Sequence, residues 1–129
     1  MGQFEVVVGA GSLRSPDGTR FPHRWTADGV TVDAEFTGAH LLHLAAAGCV
    51  LNDMYREAAG MGIRLDGVRA SATGDFDTEG WTSTGINYTV DVDSSATAED
   101  IARLLEVVDA VAEIPRALRV GATVERTSS

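Results

Sequence analysis

The sequence predicts an α+β fold in which antiparallel strands surround one long, buried helix. Three patterns predict it: alternating strand segments at both ends of the chain, an apolar helical segment of some 20 residues near the middle, and a shorter amphipathic helix near the end. A chain of 129 residues fits one domain, because a domain of this size buries roughly two thirds of its surface. We therefore expect a single domain spanning residues 1–129.

The first 37 residues predict two or three strands. Phe4, Val6 and Val8 lie on one side of a strand, and the turn-forming residues between positions 9 and 18 predict a first hairpin. After a second turn, the apolar residues of the segment 30–36 alternate with polar ones. This alternation indicates a half-buried strand.

The segment from Ala39 to Ala59 predicts the central helix, about 30 Å long. It contains no proline, and Gly60 and Gly62 follow as helix-ending residues. Its apolar side chains cover nearly the whole circumference, so the helix must be covered on several sides. In so short a chain, a partner chain is the simplest way to cover the apolar surface of this helix. The alternative is that the helix is buried wholly within its own sheet.

The second half predicts a strand pair, a helix and a final strand. Segments 68–73 and 86–93 alternate and are expected to pair as an antiparallel hairpin. Thr97 and Asp100 have the spacing of a helix start, and the apolar positions that follow predict a helix packed on the sheet. A short helical turn follows Pro115, and a last strand is predicted from the alternation of Val120, Ala122 and Val124.

Composition excludes several classes of function. Nineteen acidic residues against ten basic ones give a net charge of −9, which disfavours nucleic acid and anionic membranes as partners. All ten basic residues are arginine, so Schiff-base chemistry and a phosphate-loop lysine are excluded. A lone cysteine, Cys49, excludes an internal disulfide and a multi-thiolate metal site. We expect no cofactor.

The same composition bears on location. The N-terminus lacks the pattern of a secretory signal. The longest apolar run, at residues 44–51, is far shorter than the roughly 20 residues that cross a bilayer. A cytoplasmic protein is therefore expected.

Two segments carry a resemblance to a known family. The segment 41–49 (LLHLAAAGC) is a helix of small and apolar residues ending in a cysteine, and the segment 114–119 (IPRALR) follows it after the strand pair. With the order of elements, these segments resemble the OsmC/Ohr family, the osmotically inducible and organic hydroperoxide resistance proteins, from about Thr37 to Val124. The resemblance implies an interlocked homodimer whose central helices lie back to back between two sheets.

The resemblance also implies a chemistry. In the family, a thiolate attacks the peroxide oxygen of a small hydroperoxide and becomes a sulfenic acid, which a second cysteine resolves. Cys49 matches the attacking position. The activating arginine comes from the N-terminal loop in the family, and Arg14 and Arg24 are the nearest candidates, although neither matches in register. The candidate catalytic residues are therefore Cys49, Arg14 and Arg24.

This sequence departs from the family pattern at two places. The residues before Pro115 are Ala112, Glu113 and Ile114, so the resolving cysteine is missing. Ten positions before Cys49, where a typical member carries a glutamate, the chain has Ala39. An active protein would therefore be a one-cysteine peroxidase, with peroxiredoxin activity in the oxidative stress response, that relies on an external thiol reductant.

The missing residues leave two functions open. The first is that diverged thiol-dependent hydroperoxide reductase. The second is a non-catalytic family member that binds a small apolar ligand in the dimer cleft. The sequence does not decide whether the protein is an enzyme.

Polar neighbours in the central helix bear on both functions. Asp53 lies one turn after Cys49 on the same face, where its carboxylate would oppose thiolate formation. We interpret it as pairing with Arg56 or another arginine on the surface. His40 and His43 share a helix face at a spacing that can hold a metal, but we interpret them as facing the pocket or the partner chain. No metal site is predicted.

Overall fold

A computed structural model describes residues 2–128 of the chain. It contains five strands and three helices, in the order β1 (Phe4–Gly11), β2 (Thr19–Phe21), β3 (Val30–Asp33), α1 (Gly38–Gly60), β4 (Gly67–Phe76), β5 (Ser83–Asp93), α2 (Ala98–Val111) and α3 (Glu113–Val120).

The strands form one antiparallel sheet in the order β2-β3-β1-β4-β5. Because side chains alternate across a strand, β1 and β4 each bury every second residue against the core. Their registers place these residues opposite one another, with Val8 of β1 between Val32 of β3 and Ala70 of β4. The inward residues of β1 and β4 are almost completely buried: Val6, Val8, Ala10, Val68, Ala70 and Ala72.

Helix α1 lies across the buried face of β1 and β4. It begins after Thr37, whose hydroxyl accepts a hydrogen bond from the backbone N–H of His40. After its end, Gly62 adopts a φ of +69°, a conformation that L side chains rarely adopt. The predicted helix is confirmed to within one residue at each end.

Helix α2 begins as predicted, because the Thr97 hydroxyl accepts from the backbone N–H of Asp100. Its apolar face buries Leu104 and Val108. The prediction that α2 packs on the sheet is wrong, because the backbone of α2 lies nearest α1 and α3. The sheet is reached through side chains, since the Tyr88 hydroxyl of β5 donates a hydrogen bond to Asp109.

Two predicted elements differ from the structure. The expected first hairpin is wrong, because β1 pairs with β3 and β4 while β2 pairs with β3. The predicted last strand is also wrong: residues 121–128 have no regular structure, and the Val120 and Val124 side chains are about nine-tenths exposed. Alternation alone does not make a strand, since its backbone groups must also find a partner strand.

The described residues thus form three layers: the sheet, then α1, then α2 and α3 on the far side of α1. One face of α1 stays open between the sheet and these helices, with Leu41 and Ala45 exposed and Gly48 half-buried. The predicted burial of α1 on all sides is therefore incomplete within one protomer. Among residues 2–128, no helix combines the length and the apolar character needed to cross a membrane.

Candidate functional site

Cys49 lies at the start of the fourth turn of α1, on the side that faces the start of α3. Its side chain is almost completely buried, with 8% of the residue exposed. The thiol donates a hydrogen bond to the carboxylate of Glu113, with 3.5 Å between Sγ and Oε2. The first residue of α3 therefore covers the sulfur of α1.

Arg56 holds Glu113 in that position. Its Nη1 lies 2.9 Å from Oε1 of Glu113, so the two carboxylate oxygens contact the guanidinium and the thiol separately. The same guanidinium contacts Asp53 at 3.1 Å and Glu57 at 3.1 Å. Arg56 and Cys49 are two helical turns apart on one side of α1, which is why one carboxylate can bridge them.

Asp53 is the buried member of this cluster. It is 2% exposed, and its Oδ2 lies within ion-pair distance of Arg56 but has no hydrogen bond of good geometry. The predicted pairing with Arg56 is confirmed, whereas the predicted surface location is wrong. The carboxylate is buried because α1 turns this face toward α2 and α3.

The electrostatics of the cluster keep the sulfur protonated. Burial raises the pKa of the Cys49 thiol, and the negative charges of Asp53 and Glu113 raise it further, against a lowering by the backbone N–H of Ile114. The hydrogen bond from Arg56 lowers the pKa of Glu113, as does that from Cys49. At neutral pH the site therefore holds a neutral thiol beside an ionised carboxylate.

Three groups of the site could in principle serve as metal ligands. The Cys49 sulfur and one carboxylate oxygen each from Asp53 and Glu113 lie within 4.8 Å of one another. The Arg56 guanidinium already contacts both carboxylates. A cation is thus present at this position, and a metal ion would have to displace it.

A cavity of about 340 Å³ lies between α1, β5 and α3. It is mainly apolar, and Leu42 and Ala46 of α1 form one wall while Pro115 and Leu118 of α3 form another. Leu42 lies two turns before Cys49 on the same side of α1. The cavity therefore shares its two helices with the thiol site.

The other candidate residues lie elsewhere in the protomer. Arg14 donates hydrogen bonds to the backbone oxygens of Gly11 and Asp28. The Arg24 guanidinium lies 5.8 Å from the ring centre of Trp25. The structure does not bring either arginine together with Cys49 within the protomer.

The two histidines of α1 pack near the end of the sheet. His40 contacts Glu35, with 3.2 Å between Nε2 and Oε2. His43 is completely buried, and its Nδ1–H donates to the backbone oxygen of Ala39 at 2.7 Å. Both rings contact Phe4. His43 thus belongs to the core of the protomer rather than to a cavity or a free surface.

Sequence reasoning missed two residues of the site, Glu113 and the role of Arg56 toward it. A signal was present for each. Glu113 lies just before Pro115, where the resembling family has its resolving cysteine, and Arg56 lies seven residues after Cys49. Neither signal shows that α3 folds back onto α1.

Comparisons with known proteins agree with this fold. The family model described as OsmC-like protein matches residues 31–126. An OsmC-like protein from Mycoplasma pneumoniae has a similar solved structure, with a TM-score of 0.59 and 15% identity over 83% of this chain and 89% of that chain. Among curated proteins, no significant match is found.

A second solved structure is an OsmC-like hydroperoxide resistance protein from Jannaschia sp. CCS1. It has a TM-score of 0.53 and 15% identity over 97% of this chain and 94% of that chain. At this identity the structural likeness concerns the fold, while the family model covers most of the chain. The chain therefore belongs to the family of OsmC-like proteins.

Proposed function

We propose that the protein is a one-cysteine, thiol-dependent hydroperoxide reductase with Cys49 as the attacking residue. The observation that carries the proposal is the contact of the Cys49 thiol with the Glu113 carboxylate, itself held by Arg56. Cys49 belongs to the hydrophobic core, but its thiol also contacts an ionised carboxylate, which packing alone does not require. The likeness to a hydroperoxide resistance protein supports the proposal.

The reaction converts the thiol and a small apolar hydroperoxide into a sulfenic acid and an alcohol. Cys49 is the one cysteine of the chain, so an external thiol must reduce the sulfenic acid. A cytoplasmic location, as expected from the sequence, would supply that thiol. Arg14 and Arg24 stay candidates for activation only if a movement or a partner chain brings one of them to the sulfur.

Turnover of cumene hydroperoxide with an external thiol tests the proposal. We expect consumption of hydroperoxide by the wild-type protein and its loss in Cys49→Ser. A sulfenic acid trapped at Cys49 and identified by mass spectrometry would support the assignment. Equal turnover by both proteins would contradict it.

We further propose that two copies associate through the open face of α1. Leu41 and Ala45 are exposed there, and a Cβ added at Gly48 would meet nothing within 4 Å. Small side chains let two helices approach closely, and apolar residues gain from being covered. The resemblance to dimeric family members supports the same arrangement.

Light scattering at several protein concentrations tests the homodimer. Ala45→Arg places a charge in the proposed interface and should yield monomers. Ala102→Arg is the matched control, because Ala102 is exposed on α2, away from this face. A monomeric wild type, or a dimer that Ala45→Arg leaves intact, would contradict the proposal.

The cavity between α1, β5 and α3 favours a second candidate function, the binding of a small apolar ligand without catalysis. Its mainly apolar walls and its volume of about 340 Å³ suit such a ligand. Native mass spectrometry tests this function. A retained ligand that Ala46→Trp displaces, in a protein without peroxidase activity, would favour binding.

A further inference from the structure

Glu113 occupies the position of a proton acceptor for the Cys49 thiol. Its Oε2 accepts the hydrogen bond from the thiol, while Arg56 contacts Oε1. A nucleophile (Cys49), a base (Glu113) and a group that orients the base (Arg56) are therefore connected by successive contacts. The arrangement differs from the implied family chemistry, in which an arginine approaches the sulfur directly.

The surroundings allow this carboxylate to exchange protons. The Glu113 side chain is 62% exposed, so water can reach it, whereas the sulfur is almost completely buried. Asp53, the other acidic neighbour, is 2% exposed. Among residues 2–128, Glu113 is thus the carboxylate that contacts both the thiol and solvent.

We infer that Glu113 is a catalytic residue that takes the thiol proton as the sulfur attacks the hydroperoxide and passes it to the leaving oxygen. This inference rests on the proposed function. The sulfur attacks the terminal OH oxygen, a sulfur–oxygen bond forms, and the oxygen–oxygen bond breaks with its electron pair on the alkoxy oxygen. The proton then converts that oxygen into the alcohol. Sulfur is oxidised by two electrons and the hydroperoxide is reduced by two.

An alternative role makes the opposite prediction. If Glu113 acts only as a negative charge, it suppresses the thiolate, and its removal should speed every reaction of Cys49. If it carries the proton, its removal should speed only reactions whose leaving group needs no proton. Alkylation by iodoacetamide releases iodide, a leaving group that needs no proton. Oxidation by a hydroperoxide releases an alkoxy oxygen, which does need one.

The experiment compares both rates in Glu113→Gln at pH 7. We expect faster alkylation of Cys49, because a negative charge beside the thiol is lost. Sulfenic acid formation with cumene hydroperoxide should slow by about 10²-fold, the low end of general acid–base contributions. Glu113→Asp should recover part of the oxidation rate. Glu106→Gln, an exposed glutamate on α2, should change neither rate.

The outcomes separate this inference from the proposed function. If the wild type is oxidised and Glu113→Gln is oxidised as fast or faster, Glu113 is not the proton carrier, although the reductase stands. If wild-type Cys49 is alkylated but never oxidised, both fail. Circular dichroism of each variant establishes that it is folded. A rate that falls in both Glu113→Gln and Glu113→Asp without any recovery would also contradict the inference.

Discussion

At the scale of single residues, the chemistry of Cys49 depends on a few charges from α1 and α3. Asp53 and Glu113 raise the pKa of its thiol, and Arg56, the nearby cation, is engaged by carboxylates. The position of Asp53 one turn after Cys49 was enough to predict the direction of its effect, because residues four apart share a helix face. The effect of Glu113 depends on a contact between residues 64 positions apart.

Asp53→Asn should lower the pKa of the Cys49 thiol. The substitution removes a buried negative charge, which otherwise disfavours the thiolate. The pH dependence of alkylation by iodoacetamide measures this pKa. Asp91→Asn is the control, since Asp91 is exposed on β5. An unchanged or higher thiol pKa in Asp53→Asn would contradict the assignment.

Gly74→Ala should destabilise the protein by about 1–3 kcal/mol, the usual cost of overpacking. A Cβ at this position would lie 2.5 Å from Nε2 of His43 and would also meet the backbone oxygen of Gly85. Urea unfolding measures the effect. Gly60→Ala is the matched control, because its Cβ would meet nothing within 4 Å. It should stabilise the helix by up to about 1 kcal/mol. Equal urea midpoints for Gly74→Ala and Gly60→Ala would contradict the close approach of His43 and Gly85 to Gly74.

At the scale of elements, the predictions succeed where the signal lies close together in the chain. The starts of α1 and α2 follow from Thr37 and Thr97, whose side chains cap backbone groups three residues away. The hairpin of β4 and β5 follows from their alternation and is confirmed. The first hairpin is wrong because β3 and β4 occupy the two edges of β1, and the sequence does not show these pairings between distant segments.

Thr97→Ala should cost about 1 kcal/mol of stability, the typical value for a lost N-cap. The hydroxyl of Thr97 accepts the backbone N–H of Asp100 at 3.1 Å, and alanine leaves that group without a protein partner. The free energy of unfolding in urea measures the loss. Thr97→Ser retains the acceptor and should keep most of the stability. A serine variant as unstable as the alanine variant would show that the cap is not the cause.

At the scale of the whole molecule, the layers are joined by side chains that reach across them. The Tyr88 hydroxyl of β5 donates to Asp109 of α2, and Arg119 of α3 contacts the same carboxylate at 3.1 Å. The hydrogen bond from Tyr88 lowers the pKa of Asp109, with a further lowering by Arg119. Burial, together with Asp109, raises the pKa of Tyr88 to about 12. These three residues therefore connect the sheet to both outer helices.

Tyr88→Phe should lower the free energy of unfolding by about 1–2 kcal/mol at pH 7. Because the folded pKa of Asp109 lies below its unfolded value, the contribution is present above the unfolded pKa and is lost as the pH falls through the folded pKa. The difference between wild type and variant should therefore shrink in acid. Urea unfolding at several pH values measures it.

Tyr55→Phe is the matched control for this prediction. The Tyr55 hydroxyl is buried without a hydrogen-bond partner, so its removal should not destabilise the protein. If Tyr55→Phe lowered the free energy of unfolding as much as Tyr88→Phe does, this would contradict the stabilising role of the hydrogen bond to Asp109. A difference in free energy of unfolding between wild type and Tyr88→Phe that does not shrink as the pH falls would also contradict it.

The sequence by itself determined the α+β class, the central helix with Cys49 in it, and the two capped helix starts. These features depend on periodicity and on residues a few positions apart, where chain geometry alone sets the spacing. Only the tertiary structure decided the strand partners, the absence of a last strand in residues 121–128, and the placement of Glu113 between Cys49 and Arg56. Each of these depends on whether distant segments meet, which is settled by packing of the whole chain.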